Sequence, residues 1–310
     1  MPKTATWRDI IGYTEVKKIL DGAVGFPFRM PHLFSGRKND SKFKKSTGCL
    51  LYGPPGTGKS EFARCLASEA KQCTFVTITG ADINGKFCGE TEKNITALFQ
   101  LSEAIKPVIV FLDEAETVFT SRNGNVSENT QKAVAQFLTY LQKQPGLFLL
   151  ACSNHPYNID SGILRRMPTK IFIGLPDSKA RGLMLKHHLK EVMSFLTDNN
   201  YKMLGSAMVD FSASDIYDVA TMSGHEVYMK VPAATHFRSC MTRKGQMVPC
   251  KATDIGAVEG TYEDFPADCI SAPILRLKDV QKAIKVVNSS RNKVEPEYME
   301  ALEKFGAEQK

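Results

Sequence analysis

Cys49-Leu50-Leu51-Tyr52-Gly53-Pro54-Pro55-Gly56-Thr57-Gly58-Lys59-Ser60 decides the fold. Four apolar residues run straight into a glycine-rich turn, and Glu61-Phe62-Ala63-Arg64-Cys65-Leu66-Ala67 continues as a helix. Strand, turn and helix in that order form a P-loop. Gly53, Gly56 and Gly58 let the backbone curl so that successive N–H groups point inward at phosphate oxygens. The helix N-terminus adds its partial positive charge at the same spot. Lys59 can reach the β- and γ-phosphates, and the Ser60 hydroxyl can ligate Mg²⁺. The nucleotide-binding set read from this stretch is Pro54, Pro55, Gly56, Thr57, Gly58, Lys59, Ser60 and Glu61. It implies binding of a nucleoside triphosphate.

Downstream, Val108-Ile109-Val110-Phe111-Leu112-Asp113-Glu114 is a Walker B pattern, an apolar strand ending in two carboxylates. An open α/β sheet puts its ligand chemistry at the C-terminal ends of its strands. Asp113 there can hold Mg²⁺ together with Ser60, and Glu114 can polarise the attacking water as a base. A further apolar strand ends in Ala151-Cys152-Ser153-Asn154, where Asn154 can fix the same water or touch the γ-phosphate. Glu directly after Asp favours hydrolysis over nucleotide sensing alone.

The rest of the first half alternates in the same way. Strands are expected at 48–52, 74–79, 107–112, 146–152 and 169–173, and helices at 14–24, 60–70, 92–104 and 129–142. Near-continuous apolar strands separated by helices predict an α/β parallel sheet covered on both faces. Leu175-Pro176-Asp177 reads as a boundary. It divides a large nucleotide-binding α/β domain, 1–175, from a smaller helical domain, 176–310. Helices are expected in the latter at 180–191, 215–227, 277–287 and 296–305. Residues from about 240 to 266 are richer in Gly, Pro and β-forming residues and read as an insertion of loops with short strands.

Composition is that of an ordinary globular protein, 43% hydrophobic and 24% charged over 310 residues. No apolar stretch approaches transmembrane length, and the first residues lack a signal-peptide core. Eight cysteines without a C-x-x-C pair fit a reduced intracellular compartment and indicate neither zinc nor a disulfide framework. The net charge of +7 is mild, and the basic run at 37–45 reads as a solvated loop. No direct nucleic-acid partner is expected.

Walker A, Walker B Asp-Glu, the strand-ending Asn154 and the later pair Arg165-Arg166, in this order, resemble an AAA+ ATPase. Trp7-Arg8-Asp9-Ile10-Ile11-Gly12 is similar to the opening that lines the adenine site in the family's meiotic clade. The resemblance implies ATP and Mg²⁺ as ligands, with Asp9, Ile11 and Gly12 near the base. It also implies that Arg165 and Arg166 are arginine fingers acting on a neighbouring subunit's ATP, hence a homohexamer. Leu164 and Met167 stand where members often have Arg and Phe. Phe211-Ser212-Ala213-Ser214-Asp215 resembles a small-domain motif that meets the adenine, with Ala213 in place of the usual Gly and Ser214 beside it. A plain N-cap by Ser212 or Ser214 is the alternative.

Lys86-Phe87-Cys88-Gly89-Glu90 resembles the first pore loop of the clade, with Phe87 as the ring that grips a threaded chain, flanked by Lys86 and Cys88. A second pore loop is expected near 122–128. In the C-terminal third, Ala234-Thr235-His236-Phe237, Val248-Pro249-Cys250, Gly256-Ala257-Val258-Glu259 and Tyr262-Glu263-Asp264-Phe265-Pro266 are similar to the branch that disassembles ESCRT-III polymers at membranes. The microtubule-severing branch lacks such an insertion. This resemblance implies ESCRT-III-type filament subunits as partners and an activating protein at the insertion. It further implies a cytoplasmic location with recruitment to endosomal or other membranes. That branch carries an N-terminal substrate-recruiting helical domain, which the resemblance does not cover here.

Overall fold

The computed structural model describes residues 5–30, 48–70, 73–83, 89–120, 128–143, 147–240, 245–290 and 295–308. Apolar runs without polar alternation become the middle of a sheet, because both of their faces are covered. β1 (Gly48–Tyr52), β2 (Thr74–Ile78), β3 (Val108–Leu112), β4 (Leu147–Ser153) and β5 (Thr169–Phe172) form one parallel sheet in the order β2-β3-β4-β1-β5. Every residue of β1, β3 and β4 is buried, whereas the edge strands β2 and β5 are partly exposed.

Alternation along the strands feeds two cores. Leu50, Val108, Val110, Leu112, Leu149 and Ala151 face one side, with Phe99 and Phe137 from the helices Glu90–Ala104 and Glu128–Lys143. Leu51, Ile109, Phe111, Phe148 and Leu150 face the other, with Phe62 and Leu66 from the P-loop helix Lys59–Glu69. Phe99 and Phe137 meet edge-on at 4.9 Å, the geometry that aromatic quadrupoles favour. Cys49 and Cys152 belong to the second core as small hydrophobes, and burial pushes both thiols up.

The register carries the functional consequence. Tyr52 pairs with Ser153 and Leu112 with Ala151, so β1, β3 and β4 finish close together at one edge. Gly53, Asp113 and Asn154 therefore leave the sheet side by side.

The chain packs as two units, Met1–Leu175 with Val294–Lys310, and Pro176–Lys293. The closing helix Pro296–Glu308 thus groups with the sheet rather than with the second domain drawn from sequence, because Leu302 and Phe305 are buried in the first core. Within the second unit the helices Ser178–His188 and Asp198–Ala207 cross backbone to backbone. A Cβ on Gly182 would stand 2.6 Å from the Tyr201 carbonyl oxygen, and one on Gly205 would stand 2.4 Å from that of Ser178. Helices Ala213–Tyr228 and Leu277–Ser290 pack together in the same unit.

Several boundaries differ from the sequence reading. The expected helix 14–24 is α-helical over Thr14–Leu20 and widens into a π turn over Asp21–Gly25. The 180–191 helix runs from Ser178 to His188, because Asp177 caps it by accepting from the Ala180 N–H at 2.6 Å. The insertion forms a three-stranded antiparallel sheet, β6 (His236–Ser239), β7 (Met247–Pro249) and β8 (Val258–Glu259), in the order β7-β6-β8. Its first strand precedes residue 240, where the insertion was expected to open.

Candidate active site

Gly56 and Gly58 take φ of 73° and 88°, which L side chains rarely adopt, and that curl is what a phosphate cradle requires. Gly53 passes so close to β5 that a Cβ would stand 2.1 Å from the Ile173 carbonyl oxygen. Lys59, the first residue of its helix, is almost fully buried, and its ammonium donates to the carbonyls of Gly53 at 2.9 Å and Pro54 at 2.8 Å. Burial holds it below the usual lysine range, with the carboxylates of Asp113 and Glu116 acting in the opposite direction. A desolvated cation in a glycine cradle at a helix N-terminus is complementary to polyphosphate.

Ser60 Oγ donates to Asp113 Oδ2 at 2.6 Å, so the two residues read as metal ligands meet across β1 and β3. Among the described residues no three His, Cys, Asp or Glu side chains cluster as a metal cage. Two hard oxygens beside a phosphate cradle suit a cation that completes its shell with phosphate and water, as Mg²⁺ does.

Glu114 has φ 50° and ψ 50°, a left-handed conformation uncommon outside glycine. Its N–H donates to Asp113 Oδ1 at 3.1 Å, and its carbonyl accepts from Thr117 Oγ1 at 2.8 Å. The turn leaves Glu114 exposed at the edge where β1, β3 and β4 end. Asn154 follows β4 at the same edge, its N–H donating to Glu116 Oε1 at 3.1 Å. Lys59, Ser60, Asp113, Glu114 and Asn154 are thus gathered at one sheet edge.

The opening segment packs against the P-loop helix. Phe62 contacts Trp7 at 6.3 Å and Tyr13 at 5.5 Å between ring centroids. Lys17 ties the segment down by donating to the Trp7 carbonyl at 2.9 Å and to that of Ile10. Asp9 is exposed and closes a turn by accepting from the Thr6 N–H and hydroxyl, both at 2.8 Å. Ile11 and Gly12 are half-buried.

Arg165 and Arg166 stand elsewhere. They end the helix Ser161–Arg166, capped at its start by Asp160, just before β5 begins. Thr169 pairs with Cys49, and the Arg166 carbonyl oxygen lies 3.3 Å from where a Gly48 Cβ would be. That is the start of β1, and the P-loop is at its end. At about 3.3 Å per residue, β1 separates them by about 16 Å.

Ala213 and Ser214 lie in the second unit, in the first turn of a helix that Ser212 caps in a reciprocal box with Asp215. Lys86, Phe87, Cys88 and the segment 122–127 lie outside the described residues. Two residues at the site escaped the sequence reading, Glu116 and Tyr298. Glu116 could have been noticed as a third carboxylate after Asp113-Glu114, but Tyr298 is 144 residues from Asn154 and no local pattern points to it.

A P-loop, a Walker B carboxylate pair and a strand-end Asn on a β2-β3-β4-β1-β5 sheet define an AAA ATPase. Residues 49–175 match the family model of the ATPase family associated with various cellular activities, and residues 247–308 match the Vps4 C terminal oligomerisation domain. Vacuolar protein sorting-associated protein 4B of Mus musculus is 33% identical over 313 residues, covering 96% of this chain and 68% of that protein. Spastin of Anopheles gambiae is 33% identical over 220 residues, 69% of this chain and 26% of that protein. A solved structure of the FIGL-1 AAA domain in complex with ADP matches in fold, with a TM-score of 0.73 at 24% identity, over 98% of this chain and 90% of that one. The chain belongs to the vacuolar protein sorting-associated protein 4 family of AAA ATPases.

Proposed function

We propose that this ATPase disassembles ESCRT-III-type filaments at membranes by drawing their subunits through the pore of a homohexamer. The observation that carries this reading is the match of residues 247–308 to the Vps4 C terminal oligomerisation domain. The relative from Mus musculus also aligns over 96% of the chain, against 69% for spastin. The insertion sheet is part of the same argument. Val258 on β8 is half exposed and Ile255, in the turn before it, is 96% exposed, two apolar side chains open to an activating protein. Membrane association is proposed to run through the substrate; among the described residues no helix is long and apolar enough to cross a membrane.

In the nucleotide site, Lys59 and the P-loop amides would hold the phosphates, and Ser60 and Asp113 would hold Mg²⁺, which would supply charge neutralisation to the phosphates. Glu114 accepts a proton from the attacking water, and Asn154 orients that water. Asp9, Ile11 and Gly12 are assigned to the adenine end from the family resemblance. The opposite-edge position of Arg165 and Arg166 supports action on a neighbour's ATP, since a strand length separates them from their own P-loop.

Lys59→Ala is expected to weaken nucleotide binding by at least about tenfold, through loss of the desolvated ammonium aimed at the phosphates. Titration with a fluorescent nucleotide measures it, and unchanged affinity would move the phosphate site elsewhere.

Phe87→Ala is expected to separate hydrolysis from work. Its basal ATPase should stay within about threefold of wild type, since a gripping residue acts on the threaded chain and not on the nucleotide. Filament disassembly followed by light scattering should be lost, with an unchanged thermal melt. A core phenylalanine would instead cost about 3–5 kcal/mol on truncation. A collapsed melt therefore refutes the gripping role.

Co-sedimentation of Glu114→Gln with ESCRT-III filaments and with microtubules, each with ATP, tests the choice of substrate. Pelleting with the filaments supports this reading. Pelleting with microtubules alone would favour the severing activity instead.

A further inference from the structure

Both peptide groups flanking the Cα of Asn154 are held by distant side chains. The Asn154 N–H donates to Glu116 Oε1 at 3.1 Å, and its carbonyl accepts from the Tyr298 hydroxyl at 2.6 Å. Because each peptide group is planar, fixing both fixes φ and ψ between them, and with these the direction in which the side chain leaves the backbone.

The two holders come from different places. Glu116 stands in the turn Ala115–Thr117 that directly follows Asp113-Glu114. Tyr298 stands on the closing helix, whose Leu302 and Phe305 are buried in the sheet's first core. Phe305 also meets Tyr52, the last residue of β1, edge-on at 5.2 Å, so the helix is anchored where the P-loop begins. The Tyr298 hydroxyl lies 3.4 Å from the Gly53 carbonyl oxygen as well, and that oxygen also accepts from Lys59 at 2.9 Å. One phenol therefore touches the strand-end Asn and the first residue of the P-loop. His155 steadies the ring edge-on at 5.4 Å. Burial, then Tyr157 and Glu116, push the phenol up.

We propose that Glu116 and Tyr298 are positioning residues that aim Asn154 at the attacking water, so that the closing helix sets the turnover rate through a single hydroxyl. The proposal rests on the reading of Asn154 as the water-orienting residue. It predicts a rate effect without a binding effect, since neither residue is needed to hold the nucleotide.

Tyr298→Phe keeps the ring and removes only the hydroxyl. It should lower kcat roughly fivefold, the effect of about one hydrogen bond, with KM for ATP unchanged and Tm lowered by no more than a few degrees. Glu116→Gln keeps an acceptor oxygen and should lose less kcat than Glu116→Leu, which should fall as Tyr298→Phe does. The deciding measurement is a double-mutant cycle for kcat with Asn154→Ala. If Tyr298→Phe acts through Asn154, it should lower kcat no further in the Asn154→Ala background. Additive losses would overturn the positioning role, as would a fall in Tm that accounts for the loss of rate. An Asn154→Ala variant with wild-type kcat would instead overturn the underlying role of Asn154.

Discussion

Glu114→Gln is expected to bind ATP with wild-type affinity and to lower turnover by about two to four orders of magnitude, the range for removal of a general base. The amide is isosteric but cannot accept the water's proton. The groups proposed to hold the nucleotide are untouched, since Lys59, Ser60 and Asp113 make their contacts without the Glu114 side chain. Stability should be unchanged, because Glu114 is exposed and is tied to Asp113 and Thr117 through its backbone. With ATP present the variant should accumulate as assembled ring, which light scattering after size exclusion would detect. A phosphate-release assay and a nucleotide titration on the same sample decide it. Turnover near the wild-type rate would remove Glu114 from the chemistry.

The second large effect is expected from Arg165→Ala with Arg166→Ala. Loss of arginine fingers should lower turnover by about three orders of magnitude or more, while each subunit still binds ATP at its own P-loop. The two arginines sit at the start of β5, beside the start of β1, and the P-loop sits at the end of β1. If they act on a neighbour, specific activity should rise with protein concentration as rings form. Mixing the arginine variant with Lys59→Ala should then restore part of the rate, one subunit supplying a working P-loop and the next its fingers. Mixtures no more active than their components, in rings shown to exchange subunits, would contradict action in trans.

Much of the sheet and of the candidate phosphate site is legible in the sequence because the pattern there is local. A P-loop is a contiguous run whose glycines, lysine and serine act within eight residues, and fully buried strands announce themselves as apolar runs. Asp113 and Asn154 were legible because they end such runs. The left-handed turn at Glu114 was not, since no residue preference predicts a glutamate there. Tyr298 was invisible for another reason: it reaches Asn154 only because Leu302 and Phe305 bury the closing helix against the sheet, a tertiary choice that helical periodicity cannot encode. The same burial moves that helix out of the second domain, where sequence order had put it. The helix Asp198–Ala207 is absent from the expected helices, and it opens on Asp198-Asn199-Asn200, residue types common in turns. In the structure Thr197 and Asn200 cap each other and open the helix instead.

ATP hydrolysis and filament length followed in one reaction test the proposed function most directly. Wild-type protein, MgATP and preformed ESCRT-III filaments should give phosphate release together with a fall in light scattering, and electron microscopy should find the filaments dispersed. Glu114→Gln should leave the scattering flat. Steady phosphate release over intact filaments, with microtubules shortened in a parallel reaction, would contradict ESCRT-III disassembly as the work this ATPase does.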